Sequence, residues 1–364
     1  MKTKLLLFFV LITLSTSCIW ADVVINEANF PDEKFRNFLL NKSYGSDGVL
    51  TDSEISNITR IDCSGLNISS LQGIEYFSAL KDLLCLNCSL SSVDVSKNVA
   101  LTTLECQRNQ LVSLNVSGCI ALTDLRCFSN KLTSIDVSKN KKLISLECYN
   151  NELSVIDISN NTELFSLYCE KNMLTSLDVS KNTKMEVLSC GMNQLTSLDV
   201  SKNTGLKYLY CYDNQLTSLD VSYNTKMMYF ECNHNLLTTL DVSKCTKLTR
   251  LNCYHNKING DGATAFLEKL PQIYKGDIRF IYSEGEMNEL TSKQVEDANS
   301  KGWGVLYYDG SFWKKYSGTT AVEHIPAVST YNNRAWYDLN GCIINSKPSM
   351  GGIYLKNGKK IIIQ

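Results

Sequence analysis

Histidine is scarce, charge is balanced and long apolar runs are nearly missing, and each shortage removes a class of function. Only three histidines, His234, His255 and His324, stand among 364 residues, so serine–histidine or cysteine–histidine chemistry has few places to sit. The formal net charge is -1, and no basic block interrupts it. That argues against nucleic acid or an anionic membrane as a partner held by bulk electrostatics. No Gly-rich phosphate loop follows a strand, and neither G-x-S-x-G nor H-E-x-x-H occurs. Beyond the N-terminus no stretch is long and apolar enough to span a bilayer, so the mature chain carries no transmembrane span.

What the chain has in abundance is one sentence repeated. Leu164 to Lys184 reads LFSLYCEKNMLTSLDVSKNTK, and Leu206 to Lys226 reads LKYLYCYDNQLTSLDVSYNTK. Counting from the first Leu as zero, apolar residues recur at offsets 0, 3, 10, 13 and 15, with Cys at 5, Asn at 8 and usually Asp at 14. Units begin at Leu80, Leu101, Leu122, Leu143, Leu164, Met185, Leu206, Met227 and Leu248, always 21 residues apart, and a looser one begins at Ile58. This L-x-x-L-x-C-x-x-N-x-L repeat, over residues 58–259, resembles the leucine-rich repeat family. The resemblance implies an α/β leucine-rich-repeat solenoid with a right-handed, curved parallel β-sheet.

The physics behind the pattern stands without the family. One such unit cannot bury its own apolar face, so neighbours must stack into a continuous core. The stretch L-x-x-L-x-C alternates at period two, a short strand with Leu and Cys inward. The Asn at offset 8 falls where the chain turns inward, and its amide can serve buried backbone groups as donor and acceptor. The return path LTSLDVSKN has no helical period, which predicts turns and short extended pieces on the convex side. The offset-14 carboxylates Asp94, Asp136, Asp157, Asp178, Asp199, Asp220 and Asp241, with Asn115 in their row once, are expected to accept backbone N–H bonds in that path.

Ten of the 15 cysteines (Cys63, Cys85, Cys106, Cys127, Cys148, Cys169, Cys190, Cys211, Cys232 and Cys253) occupy the inward offset. They are expected to form a ladder of free buried thiols, because parallel Cβ vectors do not converge on disulfide geometry. Cys88, Cys119, Cys245 and Cys342 read as scattered, with no metal spacing. A zinc site from Cys232, His234, Cys253 and His255 is disfavoured, since these cysteines point inward while the histidines lie at the rim. No metal and no cofactor is expected.

The ends differ from the array. Lys2 and Lys4 precede the apolar run Leu5 to Leu14, so residues 1–21 read as a secretory signal cleaved after Ala21, with lipidation at Cys18 the rival. Residues 22–57 read as a helical N-terminal cap, with Phe35, Phe38 and Leu39 at helical spacing and a Thr51–Glu54 capping box. SYGSDGVLTDSEI within it resembles a degenerate EF-hand loop that has lost its first ligands. Residues 260–318, two helix patterns alternating with two strands, resemble the C-terminal cap regions of bacterial leucine-rich repeat surface proteins. Trp303, Trp313 and nearby tyrosines read as its core. A linker follows over 319–330. Residues 331–364 read as a β-hairpin tail with turns at Asn340–Gly341 and Asn357–Gly358. Its words YDLNG and GGIYLKNGKKIII resemble part of a type IX secretion sorting domain, although Cys342 stands where an Arg is common; a plain hairpin module is the other reading. The sorting reading makes secretion machinery a partner of the tail.

The solvent side of the strands is where a partner would be met. Offsets 2, 4 and 6 place Arg126, Phe128, Glu147, Tyr149, Tyr168, Tyr208, Tyr210, Tyr212, Tyr229, Glu231, Arg250 and Tyr254 on the concave face. Tyrosine offers contact area and a hydroxyl at low entropy cost, the profile of an interface anchor. The expectation is an exported protein, secreted or held at the cell surface or outer membrane, that recognises a protein or glycan through this face. A structural surface component is the alternative. A glycan hydrolase using outward carboxylates such as Glu147 and Glu231 comes third, so the chain is expected not to be an enzyme.

Overall fold

A computed structural model describes residues 22–282 and 286–318, with the backbone of four strands between 336 and 363. Each repeat contributes one three-residue strand. The strands Arg60–Asp62, Asp82–Leu84, Thr103–Glu105, Asp124–Arg126, Ser145–Glu147, Ser166–Tyr168, Val187–Ser189, Tyr208–Tyr210, Tyr229–Glu231 and Arg250–Asn252 lie side by side and parallel. Registers such as Leu188↔Leu209 and Leu209↔Phe230 put equal offsets opposite each other. The chain is a parallel β-solenoid, in which the only way to bury the inward Leu and Cys is against the next unit.

All ten ladder cysteines are fully buried, and none is in a disulfide. Beside them runs the asparagine ladder of offset 8, and it works in both directions. Asn172 donates to the carbonyls of Cys148 at 3.1 Å and Cys169 at 3.0 Å, while its Oδ1 accepts from Leu153 N at 3.0 Å. Just before each such Asn the backbone turns through a left-handed residue: Arg108, Ser129, Asn150, Lys171, Met192, Asp213, His234 and His255 all have φ between 49° and 57°. This conformation aims the residue's N–H at the next unit, as Asp213 N does at Asn233 O, 3.0 Å away.

The convex side consists of turns, with short strands only at Ser92–Asp94 and Ser113–Asn115. The Asp carboxylates accept there as expected: Asp178 Oδ1 takes Ser180 N at 2.8 Å. A second asparagine ladder, not anticipated from the sequence, lines the convex core at offset 18: Asn98, Asn140, Asn161, Asn182, Asn203 and Asn224, all fully buried. Asn182 donates to Ile158 O at 3.0 Å and Asn161 O at 2.9 Å, yet its Oδ1, like that of the other five, has no partner. Cys119 and Cys245 fill the same offset, and Cys119 Sγ reaches Val95 O at 3.1 Å. Cys88 sits at offset 8 of its unit, with Sγ 3.3 Å from Cys63 O. These three cysteines are therefore not scattered; each replaces a ladder asparagine as a thiol donor.

The caps continue the same hydrogen-bond logic. The helix Glu33–Leu40 buries Phe35 and Leu39 and is capped by Asp32, whose second oxygen ties Ser69 N and Ser70 N of the first unit. Thr51 and Glu54 form the capping box of the helix Asp52–Asn57, so the carboxylate that a calcium loop would have used is engaged.

At the other end, helices Gly260–Glu268 and Ser292–Ser300 alternate with strands Gly276–Ile281 and Trp303–Tyr308, which extend the sheet in parallel; Trp313–Lys315 closes it antiparallel. Asn288 takes over the offset-8 ladder, donating to Cys253 O and Phe280 O and accepting from Ile258 N. Glu286 supplies the acceptor for His255 N that a further repeat's carbonyl would have given.

Strands Trp336–Tyr337, Ile343–Ile344, Gly352–Lys356 and Lys359–Ile363 form a separate antiparallel sheet. The signal segment, Cys18, the 319–330 linker, His324, Cys342 and both Asn-Gly turns lie outside the described residues. No helix among the described residues is long and apolar enough to cross a membrane.

Candidate functional site

Strand alternation lays three rows of side chains along the open face. Offset 2 runs from Asp82 through Ser166 and Val187 to Tyr208, Tyr229 and Arg250. Offset 4 reads Glu105, Arg126, Glu147, Tyr168, Ser189, Tyr210, Glu231, Asn252, and offset 6 reads Gln107, Phe128, Tyr149, Glu170, Gly191, Tyr212, Asn233, Tyr254. The twelve residues expected on this face all fall in these rows, but they separate into groups.

Toward the N-terminal end the side chains satisfy one another. Phe128 and Tyr149 stack at 4.2 Å between centroids. Arg126 bridges Glu105 at 3.0 Å and Glu147 at 3.2 Å. Burial pushes the Glu147 carboxyl up, and Arg126 pulls it down. Glu147 and Glu231 are four strands apart, roughly 19 Å at ~4.8 Å per step. That is too far for the paired carboxylates of glycoside hydrolysis.

The second group surrounds a cavity of about 580 Å³. Its origin is a contrast between neighbouring units. The Met185 unit presents Val187, Ser189 and Gly191, while the Leu206 unit presents Tyr208, Tyr210 and Tyr212. Small residues beside large ones leave a hollow, with Tyr168 on one side and Glu231, Asn233 and Tyr254 on the other. Gly191 leaves room for the Tyr212 ring: a Cβ there would stand 2.7 Å from it and push it aside. Burial pushes the hydroxyls of Tyr210 and Tyr212 upward in pKa, so both remain neutral donors. Tyr208 stacks on Tyr229 at 5.4 Å, and the Arg250 guanidinium lies over Tyr229 at 5.3 Å. Sequence alternation identifies the tyrosines; Val187, Ser189, Asp213, Asn233 and His234 also line the cavity and were not anticipated. The run of small residues at three successive outward offsets was the available signal.

A third group extends the aromatic face into the C-terminal cap. Tyr254, Tyr282 and Tyr308 stack in sequence at 5.1 Å and 4.8 Å, and Trp313 packs against all three. Arg279 lies over Trp313 at 5.0 Å. Trp303 is fully buried, as a core residue should be. Trp313 and Tyr308 are only half-buried, because the cap strands continue the sheet and so continue its open face. The rings of His234 and His255 lie 4.4 Å apart, tilted by 32°. Burial first, then His234, lowers the His255 pKa to about 4. Among the described residues no group of three or more His, Cys, Asp or Glu is placed to hold a metal ion.

No protein-family model matches the chain, and no curated protein does. Solved structures do. The functional domain of InlJ from Listeria monocytogenes, described as including a cysteine ladder, is 28% identical with a TM-score of 0.54, over 74% of this chain and 69% of that one. An internalin, inlF, from the same organism is 21% identical with a TM-score of 0.56, over 87% and 97%. A leucine-rich repeat protein of Leptospira interrogans is 22% identical with a TM-score of 0.57, over 63% and 62%. By its stacked units, its parallel sheet and these neighbours, the chain has the leucine-rich repeat fold.

Proposed function

We propose that the chain is an exported recognition protein that binds a protein partner through the open face of its sheet, at the cavity around Tyr208, Tyr210 and Tyr212. One observation carries this reading. Five tyrosines converge on a cavity at the solvent side of a sheet whose other face is already a complete core. Half-buried tyrosines around a concavity give an interface anchor its pocket and its desolvation. A spacer would need only a polar surface there, and the N-terminal half of the same face shows that such a surface suffices, with its short Thr, Ser and Asp side chains at offset 2. Export rests on the apolar segment within residues 1–21 and attachment on the tail at 331–364.

The test of binding is a Tyr208→Ala, Tyr210→Ala, Tyr212→Ala triple variant, used as bait for surface-exposed proteins. Capture should weaken by well over tenfold, on the order of 2 kcal/mol or more for an anchor cluster. The inward Leu and Cys stack is untouched, so melting should barely move. Unchanged capture with an intact fold removes this face as the site. For the tail, a chain ending at Thr330 should fold but escape whole-cell protease shaving; digestion of the truncated protein at the surface removes the sorting role.

A further inference from the structure

The cavity is polar in one sense only. Its lining holds two carboxylates, Glu231 and Asp213, and neither lysine nor arginine. Glu231 takes an amide hydrogen of Asn252 at 2.8 Å; burial pushes its carboxyl up in pKa, and Arg279 and Arg250 pull it down from beyond ion-pair distance. Asn233 is 4% exposed. Its Nδ2 lies 3.1 Å from Nδ1 of His234. Its Oδ1 is buried. The lining thus carries carboxylates and no cation of its own, so it suits hydrogen-bond donors that bring positive charge.

The walls specify the shape of those donors. Elsewhere on this face the chain stacks its own guanidinium groups on aromatic rings: Arg250 on Tyr229 and Arg279 on Trp313. Among the described residues no cation lies over Tyr208, Tyr210 or Tyr212. The cavity thus offers ring faces and carboxylates together. A guanidinium meets both at once, being planar, permanently charged and equipped with five N–H donors. An ammonium would satisfy the charge but stacks less well. A neutral sugar could lie on the rings but would bring no positive charge to the acidic lining.

We propose that this cavity receives the side chain of an arginine carried by the protein partner, stacked against the tyrosine wall with its N–H groups on Glu231. The assignment rests on the recognition role proposed above and names the residue that the partner inserts. It is tested on the full chain by titration calorimetry at low ionic strength with blocked Gly-Gly-X-Gly-Gly peptides, X being arginine, citrulline, lysine or norleucine. Citrulline keeps the planar shape of arginine while removing its charge and turning one donating NH2 into an accepting carbonyl. The arginine peptide should bind about tenfold or more tightly than the citrulline one, with lysine between them and norleucine silent. Glu231→Gln should erase the arginine preference, while the exposed convex-side Glu152→Gln keeps it. Should Glu231→Gln not fold, the arginine-to-citrulline ratio on the unaltered chain decides alone. Equal binding of the arginine and citrulline peptides overturns the proposal, as does maltohexaose binding in place of the arginine peptide. If that occurs while the triple tyrosine variant still loses its partner, only the arginine assignment falls. Retained capture by the triple variant removes the recognition site itself.

Discussion

Replacing one asparagine by cysteine at two positions separates the two ladders, because the ladders ask different things of the amide. Asn172, on the strand side, uses both ends: two carbonyls accept from its Nδ2, and its Oδ1 holds Leu153 N. A thiol there accepts only weakly, so the buried Leu153 N loses its partner, while the carbonyls of Cys148 and Cys169 keep the amides of Asn151 and Asn193. At about 1–3 kcal/mol for an orphaned group, with the donated bonds weakened besides, Asn172→Cys should cost on the order of 2–3 kcal/mol. Asn182, on the convex side, uses only Nδ2, and its Oδ1 is already unpartnered. Asn182→Cys loses one donated bond but also removes that buried oxygen, so the loss should stay near ~1 kcal/mol. Cys119 and Cys245 show that the array accepts thiols at the second position. Urea unfolding of the two variants under reducing conditions, with hydrogen exchange at Leu153 as a local probe, measures the difference. Equal destabilisation, or a larger loss at Asn182, would refute the donor-only account of the convex ladder.

Three further outcomes follow from the geometry. Gly191→Ala should displace the Tyr212 ring, since the new Cβ would meet it at 2.7 Å; binding should fall with little change in melting, and a bound complex that ignores the substitution would show the ring to be irrelevant. Asp178→Asn should be mild because the Ser180 N–H keeps its acceptor, whereas Asp178→Ala should loosen the turn by less than about 1 kcal/mol; identical melting curves, or a large stabilisation by calcium, contradict this. His255 is lowered to about 4 by burial and by His234, so the unfolded chain binds the extra proton between that value and about 6.5. Stability from this site should be complete above pH 6.5 and fall toward pH 4, by up to about 3 kcal/mol, and a His255→Gln variant that keeps the same slope would show that other groups are responsible.

Much of the fold is legible in the sequence because a solenoid repeats its physics in step with its letters. The inward Leu and Cys, the offset-8 Asn and the turn-forming Asp all recur every 21 residues, and each behaves as its chemistry implies. The convex ladder escaped notice although it has the same spacing, because Cys119 and Cys245 interrupt the run of asparagines and look like stray thiols. Their common feature is a donor, not a residue type. Asn288 and Glu286 were invisible for the opposite reason: they do the work of a repeat from outside its period, held in place by the cap's helices and strands. The candidate site was half visible. Alternation places the tyrosines on the open face, but a cavity exists only where small residues on one strand adjoin large ones on the next. Tyr282, Tyr308 and Trp313 join the aromatic face only because the cap strands extend the sheet, with a register shift between Arg279 and Ile281 and an antiparallel last strand.

The central claim, that the open face around the tyrosine cavity meets the partner, is tested most directly by site-specific photocrosslinking on the surface of the native cell. A benzophenone amino acid placed at Tyr210 should yield a discrete adduct with one partner, and the same probe at the exposed convex Val155 should yield none. An adduct formed from Val155 alone, or equally from both positions, would contradict the account.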